Sequence, residues 1–554
     1  MNRWSSRLTS AATGVALTGT LTVGALAGGT AAATAQLRDY LVFYADGARD
    51  RAVAAIEKDG GTALSTEAKL GYVVARGPGD GFIEDLSASD AVAGVSSDRR
   101  IGSATAFSGA GSPGRAPASD IREIVSPGEE PLAGRQWDMK MMGATADGSY
   151  ATAPGSKKVL VGIIDTGVDG EHPDIAPNFN RELSRNFVTD RPKDSAGENF
   201  DGPCEFKGCK DPVDWDDDGH GTHVASTIGS PINGLGVAGV APNVSLVNLR
   251  AGQDSGTFFL KPSLDALTYA ADAGIDVVNM SYYVDPWLFN CAANPADSKA
   301  EQLEQRGVIT GMQRALDYAR AHDVTLISAL GNGMTDLGRP KADTLSPDYP
   351  SGAARPRKVD NSCINVPAES KGVISVSALG ESGRKAYYSD YGVEQTDLSA
   401  PGGDEYDGTG ESDITRTILA AAPEKAMRTQ NLIDADGRPK GRSVVRDCHD
   451  GTCAYYQYLA GTSMAAPHAT GVAAILISRF GKPGKGGVAM PPADVERLLY
   501  ASAVRKPCPS PHTYVYRLAG QKIPQTCEGG TARNGFYGRG VVSAAGAATV
   551  APRR

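Results

Sequence analysis

From residue 131 onward, continuous apolar runs alternate with helix-patterned stretches, and this alternation restricts the fold more than any other feature. Val159-Leu160-Val161-Gly162-Ile163-Ile164 has no polar face, as expected of a parallel strand covered on both sides. Val244–Leu249, Ile275–Met280, Val324–Ala329 and Val373–Ser377 repeat the type, and Ser263–Ala273 and Met312–His322 read as helices between them. Strands alternating with helices predict an α/β domain with a mostly parallel central sheet. Hydrophobic residues make up 41% of the 554, enough to bury a sizeable core. The net charge of −9 argues against a nucleic-acid binder that works by neutralising phosphates.

The N-terminus bears on the compartment. Arg3 and Arg7 precede an apolar run from Ala11 to Gly29, which exits through Ala31-Ala32-Ala33-Thr34-Ala35. This predicts a secretory signal peptide over 1–35, and hence a secreted, extracellular protein with no membrane segment in its mature form. A membrane anchor is the competing reading, but glycines dilute the run and no second stretch reaches the ~20 apolar residues of a span. The 8 cysteines suit export, where an even count reads as disulfides. Sequence cannot choose among the many pairings. Loop closure favours Cys204–Cys209, Cys448–Cys453 and Cys508–Cys527, leaving Cys291–Cys363.

Residues 36–101 read as a small α/β unit: strands at Tyr40–Tyr44 and Gly71–Ala75, and helical stretches at Arg49–Lys58 and Phe82–Ala93. Residues 102–130 are rich in Gly, Ser, Ala and Pro, a composition that buries little and exposes backbone to proteases. The main domain therefore spans 131–554.

Three segments of that domain place a reactive side chain at the end of an element. Asp165 follows Ile163-Ile164, at the carboxyl end of a buried strand, where open α/β sheets hold ligands. His220 stands between Gly219 and Gly221, whose missing side chains let backbone approach closely. Ser463 opens an apolar helix after Gly461-Thr462, near unpaired N–H groups and the positive end of the helix dipole. Taken singly, each has a bland reading: a turn cap, a structural histidine, an N-cap serine. Together they supply what serine acyl transfer requires: a nucleophile, a base and a buried carboxylate that fixes the imidazole. The chain order Asp…His…Ser is that of the subtilisin arrangement.

Asp165-Thr166-Gly167, His220-Gly221-Thr222-His223 and Gly461-Thr462-Ser463-Met464-Ala465-Ala466-Pro467-His468 resemble the three signatures of the subtilases, secreted bacterial type. Ala329-Leu330-Gly331-Asn332, Tyr388-Ser389-Asp390-Tyr391-Gly392 and Ser399-Ala400-Pro401-Gly402 support the likeness, which covers about 131–550. More loosely, 37–101 is similar to the family's inhibitory propeptide. The resemblance implies a three-layer subtilisin-like domain and a serine endopeptidase made as a self-processing zymogen, cut in 102–130. It implies Ser463 as nucleophile, His220 as general base and then acid, Asp165 as orienting carboxylate, and Asn332 as oxyanion donor beside the Ser463 N–H. It assigns Ala329 and Gly331 to the primary pocket wall, Ser281 to the strand that pairs with substrate, and Asp218 to a position beside the neighbouring subsite, where the acid either favours a basic residue or binds calcium or water. Tyr282 and Tyr283 stand where the family has small residues; they either narrow the upstream subsites or face the core.

No catalytic cofactor is implied. Structural calcium fits the family, with no ligands nameable. Asp214-x-Asp216-x-Asp218-Gly219 opens like an EF-hand loop, but the twelfth position is Ala225 and the seventh is His220, so that reading fails. The expected partners are protein or peptide substrates and the chain's own propeptide, not nucleic acid or membrane; the default oligomeric state is a monomer. Two other classes compete. One is a catalytically silent binding protein on the same scaffold, which should have lost a site residue. The other is a metal-dependent hydrolase using the acidic run with His220 and His223. Residues 404–458 read as an excursion, hairpin-like and stapled by Cys448 and Cys453.

Overall fold

The apolar run near residue 160 forms a strand buried along its whole length, flanked by strands of the same kind. The structure, a computed structural model, describes residues 37–97 and 129–551, apart from 80, 195–196, 285, 351, 409–410 and 519–520. The expected signal peptide and nearly all of the expected linker lie outside the described residues, which belong to one compact unit.

The N-terminal module is a four-stranded antiparallel sheet in the order β2-β3-β1-β4. It is built from β1 (Leu37–Tyr44), α1 (Arg49–Lys58), β2 (Thr62–Glu67), β3 (Tyr72–Pro78), α2 (Phe82–Leu86) and β4 (Val92–Ser97). The helical pattern expected over Phe82–Ala93 stops at Leu86, and Val92 already belongs to β4. Strand β2 was not expected: its TALSTE sequence is polar and exposed.

The second part begins with α3 (Trp137–Met142), β5 (Leu160–Ile164), β6 (Arg185–Asn186), α4 (His220–Gly229), β7 (Ser245–Arg250), α5 (Leu260–Ala273) and β8 (Val277–Met280). There follow β9 (Asn290–Cys291), α6 (Lys299–Ala321), β10 (Thr325–Ala329), β11 (Ala342–Asp343), β12 (Arg357–Lys358), β13 (Cys363–Ile364), β14 (Ile374–Leu379) and β15 (Leu398–Pro401). Seven of these strands form one sheet in the order β15-β14-β10-β8-β5-β7-β6. Every pairing within it is parallel. Side chains alternate between the two faces: Val161 and Ile163 enter one core, while Leu160 and Ile164 enter the other. The first core also holds residues of α4 and α8 (Thr462–Phe480), and the second holds residues of α5 and α6. This is the three-layer α/β arrangement, and each fully buried Leu, Ile or Val contributes roughly 1.5–3 kcal/mol to it.

The excursion forms a three-stranded antiparallel sheet, β16 (Ile418–Ala421), β18 (Thr452–Leu459) and β17 (Val444–His449), with α7 (Glu424–Thr429) between its first two strands in sequence. The β17–β18 hairpin carries the Cys448–Cys453 disulfide, as expected. Cys204–Cys209, Cys508–Cys527 and Cys291–Cys363 are the other bridges, the last tying β9 to β13. Among the described residues no helix is long and apolar enough to cross a membrane.

Candidate functional site

Three adjacent strands, β5, β8 and β10, end at the same edge of the sheet, and each hands on to a residue singled out from sequence. Asp165 follows β5, Ser281 follows β8, and β10 ends at Ala329, two residues before Gly331 and three before Asn332. Parallel strands aligned in register put their carboxyl ends together, so residues far apart in sequence converge there.

Asp165 and His220 form the innermost contact, with His220 Nδ1 2.7 Å from Asp165 Oδ1 and both side chains buried. Asp165 Oδ1 also accepts from the Thr166 N–H at 2.8 Å. The approach of α4 to the Asp165 loop depends on Gly221: a Cβ there would lie 2.0 Å from the Gly167 carbonyl oxygen. Thr166 and Asp216 complete the seam. The Gly221 N–H donates to Thr166 Oγ1 at 3.0 Å, Thr166 Oγ1 donates to Asp216 Oδ1 at 3.1 Å, and Asp216 Oδ2 accepts from Thr222 Oγ1 at 2.6 Å. Burial opposes charge on His220, but Asp165 outweighs it by charge and hydrogen bond, helped by Asp218 and Asp216, and lifts the imidazole to about 9. Nε2 of His220 is buried with no hydrogen-bond partner among the described residues.

Ser463 lies in the first turn of α8. Its Oγ donates to the Ser281 carbonyl oxygen at 3.2 Å. A serine–histidine bond is therefore not formed here; such bonds are often loose without substrate. Asn332 Oδ1 accepts from the Thr462 N–H and from Thr462 Oγ1, both at 2.9 Å, which seats Asn332 beside the turn that carries Ser463. The Gly331 N–H donates to the same Thr462 hydroxyl at 3.1 Å. Thr462 thus joins the Gly331–Asn332 turn to the helix start that carries Ser463, a link that position alone, one residue before Ser463, did not reveal.

Asp218 lies beside His220, and its Oδ1 accepts from the His220 N–H at 3.0 Å. Burial, with Asp216 adding to it, raises this carboxyl to about 6. The rest of the acidic run has partners in the protein: Asp214 pairs with Arg181, and Asp217 with Lys425. Strand β8 ends at Met280, so Ser281 continues it as irregular backbone. Tyr282 faces the core, its ring stacked on Phe258 at 4.2 Å, while Tyr283 donates to Asp348 Oδ2 at 2.9 Å. His223 is held by the excursion, with Nε2 3.0 Å from Ile418 O and 3.1 Å from Gln457 O, and burial lowers it to about 3. It is a packed residue of the core.

Among the described residues, two sets of carboxylates lie close enough to share a cation: Asp190, Asp211 and Asp254, and Glu205, Asp217 and Asp254. In the first, the buried Arg250 guanidinium pairs with all three carboxylates. In the second, Lys425 sits beside Glu205 and Asp217. A protein cation already pairs with carboxylates of each group.

The class defined by this fold is that of the subtilisin-like serine proteases. Residues 156–540 match the model of the Subtilase family, and the chain belongs to that family. It is 27% identical over 381 residues to fervidolysin of Fervidobacterium pennivorans, covering 66% of this chain and 42% of that protein. It is 26% identical over 335 residues to subtilisin DY of Bacillus licheniformis, covering 60% of this chain and 82% of that one. In fold it is similar to the crystal structure of the epidermin leader peptide processing serine protease (EpiP) from Staphylococcus aureus. The TM-score is 0.58 at 21% identity, covering 94% of this chain and 99% of that one. The match thus spans less than half the length of fervidolysin.

Proposed function

We propose that the protein is a secreted serine endopeptidase that hydrolyses peptide bonds through Ser463, His220 and Asp165 and is made as a self-processing zymogen. The observation that carries this reading is the buried 2.7 Å contact between His220 Nδ1 and Asp165 Oδ1, which leaves Nε2 without a partner among the described residues, at the edge where Ser463 begins its helix.

In this reading substrate binding turns the Ser463 hydroxyl from Ser281 O to His220 Nε2. The neutral imidazole takes the proton as Oγ attacks the carbonyl carbon. Asp165 holds the tautomer and stabilises the imidazolium. The oxyanion is met by the Asn332 amide and the Ser463 N–H; loss of one such donor costs about 10²–10³ in turnover, a magnitude that comes from subtilisin itself. The imidazolium then protonates the leaving amine, and water activated by the same His220 releases the acid. Ala329 and Gly331 wall the primary pocket, the Ser281 backbone pairs with substrate, and Asp218 flanks the next subsite.

The chain is divided as signal peptide 1–35, propeptide 36–101, processing region 102–130 and catalytic domain 131–554. Contacts between the first described module and α6 favour this division: Arg314 donates to Gly71 O at 2.8 Å and Tyr44 O at 2.9 Å, and Ser97 donates to Glu304 at 2.7 Å. Substrates are proteins or peptides; two relatives, NisP and EpiP, are named for processing leader peptides.

The test is the intact mass of the secreted product, wild type beside Ser463→Ala, before and after a sulfonyl fluoride. Loss of about the first hundred residues in wild type only, and one sulfonyl adduct in wild type only, is the expected result. Trimming of both chains alike assigns maturation to another protease. No trimming and no adduct would leave a silent scaffold. Activity that a chelator abolishes and a sulfonyl fluoride spares would mean metal-dependent hydrolysis.

A further inference from the structure

The turn that carries Asn332 is laced to a second turn, residues 385–391, for which the chemistry above has no use. The Asp390 N–H donates to Gly331 O at 2.9 Å, the Met334 N–H donates to Tyr388 O at 2.8 Å, and the Thr335 N–H donates to Asp390 Oδ1 at 2.7 Å. A Cβ built on Gly331 would lie 2.3 Å from Asp390 Oδ2, so the buried carboxylate bears directly on that residue. From the same turn Asn332 reaches Thr462.

Behind Asp390 stands Lys385, wholly buried at 0% exposure. Its Nζ donates to Ala386 O at 2.8 Å and Ser389 O at 2.5 Å. The rings of Tyr391, Phe536 and Tyr516 surround it, with centroids at 5.1, 5.7 and 5.8 Å. Tyr516 comes from the hairpin after Cys508, and its hydroxyl donates to Lys385 O at 2.5 Å. Burial lowers this lysine to about 7 against the pull of Asp390 and Asp404. Placing a polar nitrogen, charged or neutral, in an apolar box is costly, and packing alone would be served as well by an apolar chain of the same length. What an apolar chain lacks is a donor that closes the 386–389 turn.

We infer that Lys385 is a positioning residue of the catalytic site: the N–H donors of its side-chain nitrogen fix the 386–389 turn, so that Asp390 clamps the Gly331–Thr335 turn and Asn332 is aimed at the acyl oxygen. The inference rests on the assignment of Ser463 and Asn332 proposed above.

The test compares wild type, Lys385→Met and Lys385→Arg as full chains. The rate of Ser463 sulfonylation by phenylmethylsulfonyl fluoride is read by intact mass, with kcat and KM on casein. All values are normalised to the fraction that takes the adduct at completion, which counts folded sites. Lys385→Met is expected to slow both sulfonylation and kcat about tenfold, the scale of a modest misplacement, with KM within about twofold. Lys385→Arg, which keeps N–H donors at this position, should recover to within about threefold of wild type. Wild-type rates per adduct-competent molecule in Lys385→Met would overturn the inference, even if less protein folds. If Lys385→Met yields no folded protein, Asp390→Asn decides: an equal slowing supports the inference and an unchanged rate overturns it. A wild type that takes no sulfonyl group removes the Ser463 assignment and this inference together, whereas a reactive wild type with an indifferent Lys385→Met removes the inference alone.

Discussion

Ser281 and Ser463 exchange two hydrogen bonds: Ser281 Oγ donates to Ser463 O at 2.9 Å, and Ser463 Oγ donates back to Ser281 O at 3.2 Å. The end of β8 is thereby tied to the first turn of α8, and the hydroxyl proposed as nucleophile is held on the residue proposed to pair with substrate. Asn279 Nδ2 donates to Ser281 Oγ at 2.8 Å, which orients that hydroxyl toward Ser463 O. Ser281→Ala keeps the carbonyl but leaves the Asn279 amide and the Ser463 carbonyl each short of a buried partner. The expected cost is about 1–3 kcal/mol of stability with a drop in kcat, measured by thermal unfolding and steady-state kinetics. An unchanged melting temperature would show that the exchange contributes little.

The raised pKa of His220 sets the pH dependence. Only neutral imidazole accepts the serine proton, so kcat/KM should rise with pH and reach half its plateau near pH 9. Because the folded value lies above the ordinary 6.5, the ion pair's contribution to stability is complete below 6.5 and is lost as pH rises through about 9. Asp165→Asn should move the midpoint down and lower kcat by on the order of 10⁴. A pH–rate profile flat between about pH 5 and 8 would remove His220 as the base.

The N-terminal module meets α6 backbone to backbone. A Cβ on Gly307 would lie 2.6 Å from both the carbonyl carbon and the oxygen of Val95. Gly307→Val should therefore force β4 off α6. Limited proteolysis of the Ser463→Ala chain should then degrade residues 37–97 faster than in the same chain with Gly307, while the remainder resists. Equal digestion rates would mean that the seam tolerates a side chain.

Arg250 is a buried cation among three carboxylates, Asp190, Asp211 and Asp254. Burial, opposed by Arg250, already raises Asp190 to about 7 and Asp254 to about 8. Arg250→Met leaves these acids uncompensated, for an expected loss of about 3–5 kcal/mol at neutral pH, read by urea unfolding. The loss should shrink as pH falls and the acids take up protons; a loss independent of pH would point to packing alone.

Much of this protein is written locally. A strand covered on both faces must be apolar throughout, so β5, β7, β8, β10 and β14 were legible within a residue or two at most ends. The helix expected over Met312–His322 begins earlier, at Lys299, because its first turns are charged and marked instead by a capping box between Ser298 and Glu301. Polar β2 gave no signal, since an exposed strand has no pattern to keep. The residue types and order of Asp165, His220 and Ser463 were likewise legible, and the short-loop disulfides were favoured, though not determined, because their cysteines lie close along the chain.

What only the tertiary structure decided is which atoms meet. Ser281 and Ser463 are 182 residues apart, Asn332 and Thr462 130, and neither pairing has a local cause. They depend on parallel strands ending at one edge and on a helix crossing beneath it. Nothing in the sequence marked Lys385, and Asp390 stood out only as part of Tyr388-Ser389-Asp390-Tyr391-Gly392; burial, which is a property of the whole fold, is what sets both behind the turn that carries Asn332.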